Sequence, residues 1–472
     1  MNRSLLMTLV LLPLALAQDT KERVAVLTQA RRDLEAQLEV ADMLLEQGQV
    51  DAAALAYRKA MEKFAAALGG GEAPAKPRPQ LEPEDPALRE AELKRNPLPE
   101  WARRRGLNDP KDRAVALRPG GGSGLTENAV STGLDWLARH QDEDGRWDCD
   151  GFMKHDPADD RCEGGGSPSF DIGVTGLALL AFLGAGETDA KGKHSDNVRR
   201  GLDFLLASQG EDGRIAGVDP SGAIYEHAIA TTALSEAYGM TRSPRARDAA
   251  QRAVNVLQRA RNSHLAWRYA SNGENDTSVT AWCALALHAA RTAGLTVDPE
   301  AFKGARAWVE IATEPNFGQV GYVEKGGPPA RLARHKDRFP WEKTASMTAA
   351  GIFIRIVAGE DPKVSEAIKR GSWLCVDLPP KWNPEDGSID MYYWHWGTLA
   401  MFQMGGTEWR KWNEAMVDAI VKHQHPKGVG SRTGSWDPLC AWGEEGGRVY
   451  STALLTMCLE VYYRYDRIFG VK

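Results

Sequence analysis

Acidic, imidazole and phenol side chains recur at one kind of place in this 472-residue sequence, the opening turn of a long apolar run. Asp171, Tyr225, Glu226, His227, Asp276, Glu342, Tyr392, Trp394, His395 and Tyr450 all stand there. Asp276 with His227 or Glu226 has the make-up of a general acid and base working on a neutral substrate. Asp171, Tyr225, Tyr392, Trp394, His395 and Tyr450 would line the cavity around them. A second reading needs no chemistry at Asp171 or Asp276, because an Asp at a helix N-cap accepts backbone N–H bonds and complements the helix dipole. The histidines can equally be buried core residues. No C-x-x-C pair, zinc-finger spacing, phosphate loop, G-x-S-x-G or H-E-x-x-H occurs, so no cofactor and no metal are expected at these residues.

The apolar runs predict six helices beginning near Asp171, Tyr225, Asp276, Lys343, Met391 and Val449. A more amphipathic helix precedes each, over 126–140, 196–208, 246–261, 301–312, 363–375 and 408–424. Charges on one face suit outer helices, and runs apolar all round suit buried inner ones. Six such pairs predict an all-α, six-pair α/α toroid over 126–466. An open solenoid would need polar caps, whereas the last helix is still rich in Leu, Val and Tyr and is buried if the ring closes.

Three segments precede the ring. Met1-Asn2-Arg3, the apolar run Leu5 to Leu16 and the close Ala15-Leu16-Ala17 have the form of a signal peptide over 1–17, which predicts an exported protein, periplasmic or extracellular, with no transmembrane span. Residues 18–68 read as a helical hairpin, tetratricopeptide-like through Ala41, Leu44, Ala53, Tyr57 and Ala60, or a short coiled coil. One such unit cannot bury its own face, so it is expected to dock, with a protein partner as one option. Residues 69–125, rich in Pro and Gly, read as a disordered linker with a basic second half containing Arg103, Arg104 and Arg105. That half would either contact an anionic surface or simply solvate a tether.

The balance of 58 Lys+Arg against 64 Asp+Glu gives no case for nucleic acid. Cys149 and Cys162 bracket one loop and could pair in an oxidising compartment, while Cys283, Cys375, Cys440 and Cys458 fall in apolar helical surroundings. The same loop holds Asp148, Asp150, Asp156, Asp159, Asp160 and Glu163, oxygen-rich enough for Ca²⁺ but without EF-hand spacing; a solvated loop is the alternative. Aromatics concentrate in the last third, where they serve either packing or a cavity lining.

Two outer-to-inner turns read Gln141-Asp142-Glu143-Asp144-Gly145-Arg146-Trp147 and Gln209-Gly210-Glu211-Asp212-Gly213-Arg214-Ile215, and a degenerate third runs from His423-Gln424 to Gly434-Ser435-Trp436. This resembles the Q…G-x-W repeat of squalene–hopene cyclases and of their relatives, the protein prenyltransferase β-subunits. The resemblance implies the toroid. It also implies a cyclase acid in a central D-x-D-D-T run, which here reads Glu274-Asn275-Asp276-Thr277, with an amide where the proton donor would stand. The prenyltransferase zinc ligands would fall at Asp390, Tyr392 and Ser451, so two of three are missing. The thioester core of complement-type relatives, Gly-Cys-Gly-Glu-Gln, is absent as well. These departures favour a toroid that binds a lipid, glycan or protein. The alternatives are a divergent terpenoid- or lipid-active enzyme and a polysaccharide lyase or hydrolase using carboxylates at the ring mouth.

Overall fold

The computed structural model describes residues 81, 84–105, 117, 120–215, 223–262, 265–269, 274–464 and 468. The expected signal peptide and hairpin lie outside them. Fifteen α-helices are described, and none is long and apolar enough to cross a membrane.

Apolar pattern decides which helices go inside. In α4 (Asp171–Gly184) every residue from Ile172 onward is buried, and in α6 (Ala223–Thr241) every residue from Glu226 onward. Helix α10 (Ser346–Val357) is buried throughout, and α8 (Thr277–Ala293), α12 (Met391–Met404) and α14 (Gly443–Leu459) over most of their length, α14 being regular only beyond a kink at Gly447. Amphipathic helices alternate with them: α3 (Gly124–Arg139), α5 (Ser195–Ala207), α7 (Pro244–Arg259), α9 (Pro299–Ala312), α11 (Glu366–Asp377) and α13 (Gly406–Val421). In α7 the buried positions Ala246, Ala249, Ala250, Ala253, Val254 and Leu257 form one stripe at helical spacing. Ser243 caps its start through the Ala246 N–H, and Pro244 at the first position gives up no intrahelical bond.

The inner helices pack in the cyclic order α4, α6, α8, α10, α12, α14, and α14 returns to pack on α4 and α3. The toroid closes as its apolar last helix requires. Each outer helix packs on the inner helix of the preceding pair.

The Gln-to-Gly turns carry the repeat. Gln141 donates to the carbonyls of Gly145 and Asn197, Gln209 to those of Gly213 and Ala249, and Gln424 to those of Gly434 and Ala129. Each amide thus ties its own turn to the next outer helix. Gly145 has φ 94°, and a Cβ there would lie 2.0 Å from the Arg200 carbonyl oxygen, so the contact admits no side chain. The residue closing each turn is buried beneath it. Trp147, Trp267 and Trp436 donate their indole N–H to the Leu137, Leu257 and Ile420 carbonyls, and their backbone N–H groups reach Thr175, Thr280 and Thr452.

Part of the expected linker is folded. Two helices, α1 (Pro86–Arg95) and α2 (Glu100–Arg105), lie against the ring. The prolines that suggested disorder act as helix starts: Pro86 follows the N-cap Asp85, whose carboxylate accepts the Ala87 N–H. Nor is Arg105 a solvated charge. It is buried and pairs with Glu236 at 2.7 Å, which Arg464 also holds at 3.0 Å. Burial would raise the Glu236 carboxyl, but these two guanidinium groups hold it below its ordinary value. A short helix α15 (Val461–Arg464) supplies Arg464.

Candidate functional site

Asp276 is the N-cap of α8. Its Oδ1 accepts the Val279 N–H at 2.7 Å, which is the capping role open to it from the sequence. Its Oδ2 lies 3.5 Å from the Tyr322 hydroxyl and 3.8 Å from Arg268 Nε. The Tyr322 hydroxyl is in turn 2.6 Å from that of Tyr269. Burial pushes the Asp276 carboxyl up to about 7, against the opposing pull of the Val279 N–H and Arg268. A carboxyl that exchanges protons near neutrality therefore sits at the end of a short phenol chain leading to Tyr269, which is 41% exposed.

A second hydroxyl chain lies beside it. Tyr225 on α6 donates to Ser278 on α8 at 2.9 Å, and Ser278 lies 2.7 Å from the Tyr392 hydroxyl on α12. Since α10 stands between α8 and α12 in the ring, a contact from α8 to α12 crosses its interior. Deeper along the same helices, Trp282 of α8 stacks on His395 of α12 with centroids 5.5 Å apart and meets Trp396 edge-on at 5.1 Å. Phe353 of α10 and Tyr392 close on Trp396 at 5.3 and 6.1 Å. The interior is an aromatic box beneath a phenol-lined mouth.

Two polar atoms at this box have no partner, His395 Nε2 on α12 and the Tyr450 hydroxyl on α14, while Trp396 is within hydrogen-bonding reach of Tyr392. Burial pushes His395 down to about 3 and keeps its ring neutral. The Tyr450 phenol is held well above its ordinary value, chiefly by burial.

The other expected site residues are placed differently. His227 accepts the Ile215 N–H through Nδ1 at 3.0 Å, and its Nε2 lies 3.0 Å from the Ala253 carbonyl. It does for the Ile215 turn what Thr175, Thr280, Thr348 and Thr452 do elsewhere. With both nitrogens committed and burial pushing it down to about 4, His227 is not the base partner of Asp276. Glu226 Oε2 accepts the Gly173 N–H in the first turn of α4 at 3.1 Å. Asp171 accepts the Cys149 N–H and pairs with Arg146; burial lifts its carboxyl to about 6. Trp394 turns outward, packing on Trp382, which stacks on His423 at the end of α13. Glu342 lies in a short 3-10 turn (Trp341–Lys343) and is exposed.

The sequence reading missed Tyr269, Tyr322, Ser278, Arg268 and Trp282. Tyr269 and Tyr322 each fall two residues past the buried residue that ends a turn, Trp267 and Val320. Those turns lack the Gln, with Asn262 and Thr313 at its place in the bridge that Gln209 makes with Ile215. Counting turns by position rather than by the Gln would have found both.

Two groups among the described residues could supply three metal ligands each, Asp148–Asp150–Asp171 and His140–Asp156–Cys162. The first already has cations against it, Lys154 at 2.7 Å from Asp148 and Arg146 at 3.1 Å from Asp171. Cys149 and Cys162 are both free thiols, and Cys149 donates to the Glu445 and Gly446 carbonyls.

Residues 115–223 match the family model of the squalene-hopene cyclase C-terminal domain. The chain folds as an all-α toroid, and about a quarter of it is similar to that family. None of the curated proteins matches its sequence. Among solved structures, a type II terpene cyclase from Scytonema in complex with merosterolic acid A is 12% identical, with a TM-score of 0.47 over 74% of this chain and 98% of that one. An inactive variant of an α-1,6-mannanase from Salegentibacter, in complex with α-1,6-mannotetrose, is 11% identical at 0.48 over 72% and 99%. An α-amylase from Clostridium perfringens is 14% identical at 0.47 over 72% and 98%. What those proteins bind or act on does not pass to this toroid at that level of likeness.

Proposed function

We propose that this toroid is an exported binding protein whose ligand is an oxygen-bearing lipid of isoprenoid type, held on the ring axis. The carrying observation is the pair of orphaned polar atoms against an aromatic box, His395 Nε2 and the Tyr450 hydroxyl. Each buried group without a partner costs about 1–3 kcal/mol, so a ligand that offers oxygen atoms there and an apolar body to Trp282 and Phe353 is favoured on both counts. A saccharide would satisfy the polar atoms but waste the aromatic edges. The signal-like N-terminus supports export, and the hairpin at 18–68 is the segment proposed to dock on a protein partner.

The test is native mass spectrometry of the full chain with farnesol and, separately, mannotetraose as probes. A one-to-one farnesol adduct that disappears in Trp396→Ala is the expected result. A sugar adduct, or a farnesol adduct indifferent to Trp396, overturns the reading.

A second reading rests on Asp276. A buried carboxyl near neutrality, joined to a phenol chain, is a general acid in waiting, and a divergent lipid-active enzyme would use it to protonate the same ligand. Conversion of bound farnesol by the wild type, absent in Asp276→Asn, distinguishes catalysis from binding.

A further inference from the structure

The connection from α3 to α4 gathers three ligating side chains of different chemistry. His140 is the C-cap of α3, Asp156 follows a short 3-10 turn (Phe152–His155), and Cys162 lies six residues on. One ligand atom from each lies within 4.8 Å of the other two. His140 is 1% exposed and Cys162 3%.

The hydrogen bonds around this cluster fix what each atom can do. His140 Nδ1 lies 2.7 Å from the Trp136 carbonyl, which only accepts, so Nδ1 carries the hydrogen. In a neutral imidazole Nε2 is then a bare lone pair, yet it faces Asp156 Oδ1 at 2.8 Å. Two acceptors meet at contact distance, and something positive has to lie between them. The other carboxylate oxygen is occupied by the Cys162 N–H at 2.8 Å. A proton would satisfy the histidine–carboxylate pair, while the Cys162 thiol hydrogen-bonds the same carboxylate. A metal ion uses all three groups.

We propose that His140 Nε2, an Asp156 carboxylate oxygen and Cys162 Sγ form a Zn²⁺ site. Nitrogen, oxygen and sulfur are the ligands zinc takes, and tetrahedral bonds of about 2.0–2.3 Å place them roughly 3.3–3.7 Å apart. The cluster reaches that spacing with small side-chain shifts. The shell behind it is that of a metal site: the second imidazole nitrogen donates to a backbone carbonyl, and the carboxylate accepts a backbone N–H. Carboxylate and thiolate together balance the charge of the ion. Arg448, whose charge reaches Cys162, is engaged by Asp437 and the Glu163 carbonyl. The site differs from the triad that the family resemblance implied, whose places here include Tyr392 and Ser451. Zinc here would staple the 149–166 connection to α3. That connection in turn carries the Cys149 N–H held by Asp171 and the Ser167 N–H bonded to Glu445 at the foot of α14.

The experiment is metal loading of the full chain, with zinc counted by inductively coupled plasma mass spectrometry and Co²⁺ as an optical probe. The wild type is expected to retain one zinc per chain after dialysis and to show a thiolate-to-cobalt charge-transfer band. Cys162→Ser is expected to lose the band and the stoichiometric zinc, and Cys149→Ser to keep both. The cobalt spectrum of the wild type needs no variant to fold, and it separates this site from the Asp148–Asp150–Asp171 group, which has no sulfur. A metal-free wild type after loading, cobalt bound without the thiolate band, or zinc retained by Cys162→Ser overturns the proposal.

Discussion

Replacing Asp276 with Asn tests the electrostatics of the ring mouth directly. The carboxyl has an ordinary value of 3.8 and is raised to about 7 in the folded chain, chiefly by burial. Folding therefore favours the protonated form. The stability contribution is fully present below the unfolded value, falls as pH rises between about 4 and 7, and is gone above the folded value. Three units at 1.36 kcal/mol each give about 4 kcal/mol, smaller by ~1.4 kcal/mol for every unit by which relaxation lowers the shift. Asn keeps an oxygen for the Val279 N–H and cannot ionise, so it keeps the cap and loses the penalty. Guanidinium denaturation of both proteins from pH 4 to 8 isolates this one group, because the other titrating residues cancel in the difference. The two are expected to be nearly equal at pH 4. Asp276→Asn should then gain on the wild type by up to ~1.4 kcal/mol per pH unit and level off above pH 7. A gap independent of pH would refute the reasoning, since it means the carboxyl titrates as an exposed one. A wild type that gains on the variant with pH would show that Arg268 and the helix N-terminus outweigh burial.

Three further outcomes follow from the same geometry. His227→Ala strands the buried Ile215 N–H and opens a cavity, so equilibrium denaturation should show a loss of about 2–4 kcal/mol, with ligand affinity unchanged by native mass spectrometry. Gly145→Ala forces a Cβ onto the Arg200 carbonyl, whereas Gly294→Ala, at φ 91°, meets nothing within 4 Å; melting curves should show the first losing more than 2 kcal/mol and the second about 1 kcal/mol. Glu236→Gln leaves Arg105 and Arg464 buried without their shared counter-charge, and a loss of about 3–5 kcal/mol is expected in urea titration; a loss under 1 kcal/mol would mean that α2 contributes little to the ring.

The sequence by itself determined the helices and their order. An apolar run buried on every side can only be an inner helix, and a one-sided run only an outer one, so all twelve ring helices were legible to within a few residues. The Gln and Gly of the turns were legible too, because an amide that spans two carbonyls and a backbone contact that excludes a side chain leave fixed residue types behind. Asp276 as a cap was readable from its place before Thr277. Other features depended on chain segments far apart. Trp282 and His395 are 113 positions apart in the sequence, and only a closed ring stacks them. His227 looked chemical from its neighbours, but its two nitrogens are spent on Ile215 and Ala253, a fact carried by the packing of α6 on α7. The prolines of residues 86–99 suggest coil locally, yet start and separate two helices once Arg105 has Glu236 to meet. Sequence pattern fixes which face of an element avoids water; which polar groups meet inside, and whether they satisfy one another, is decided only when the ring closes and brings those faces together.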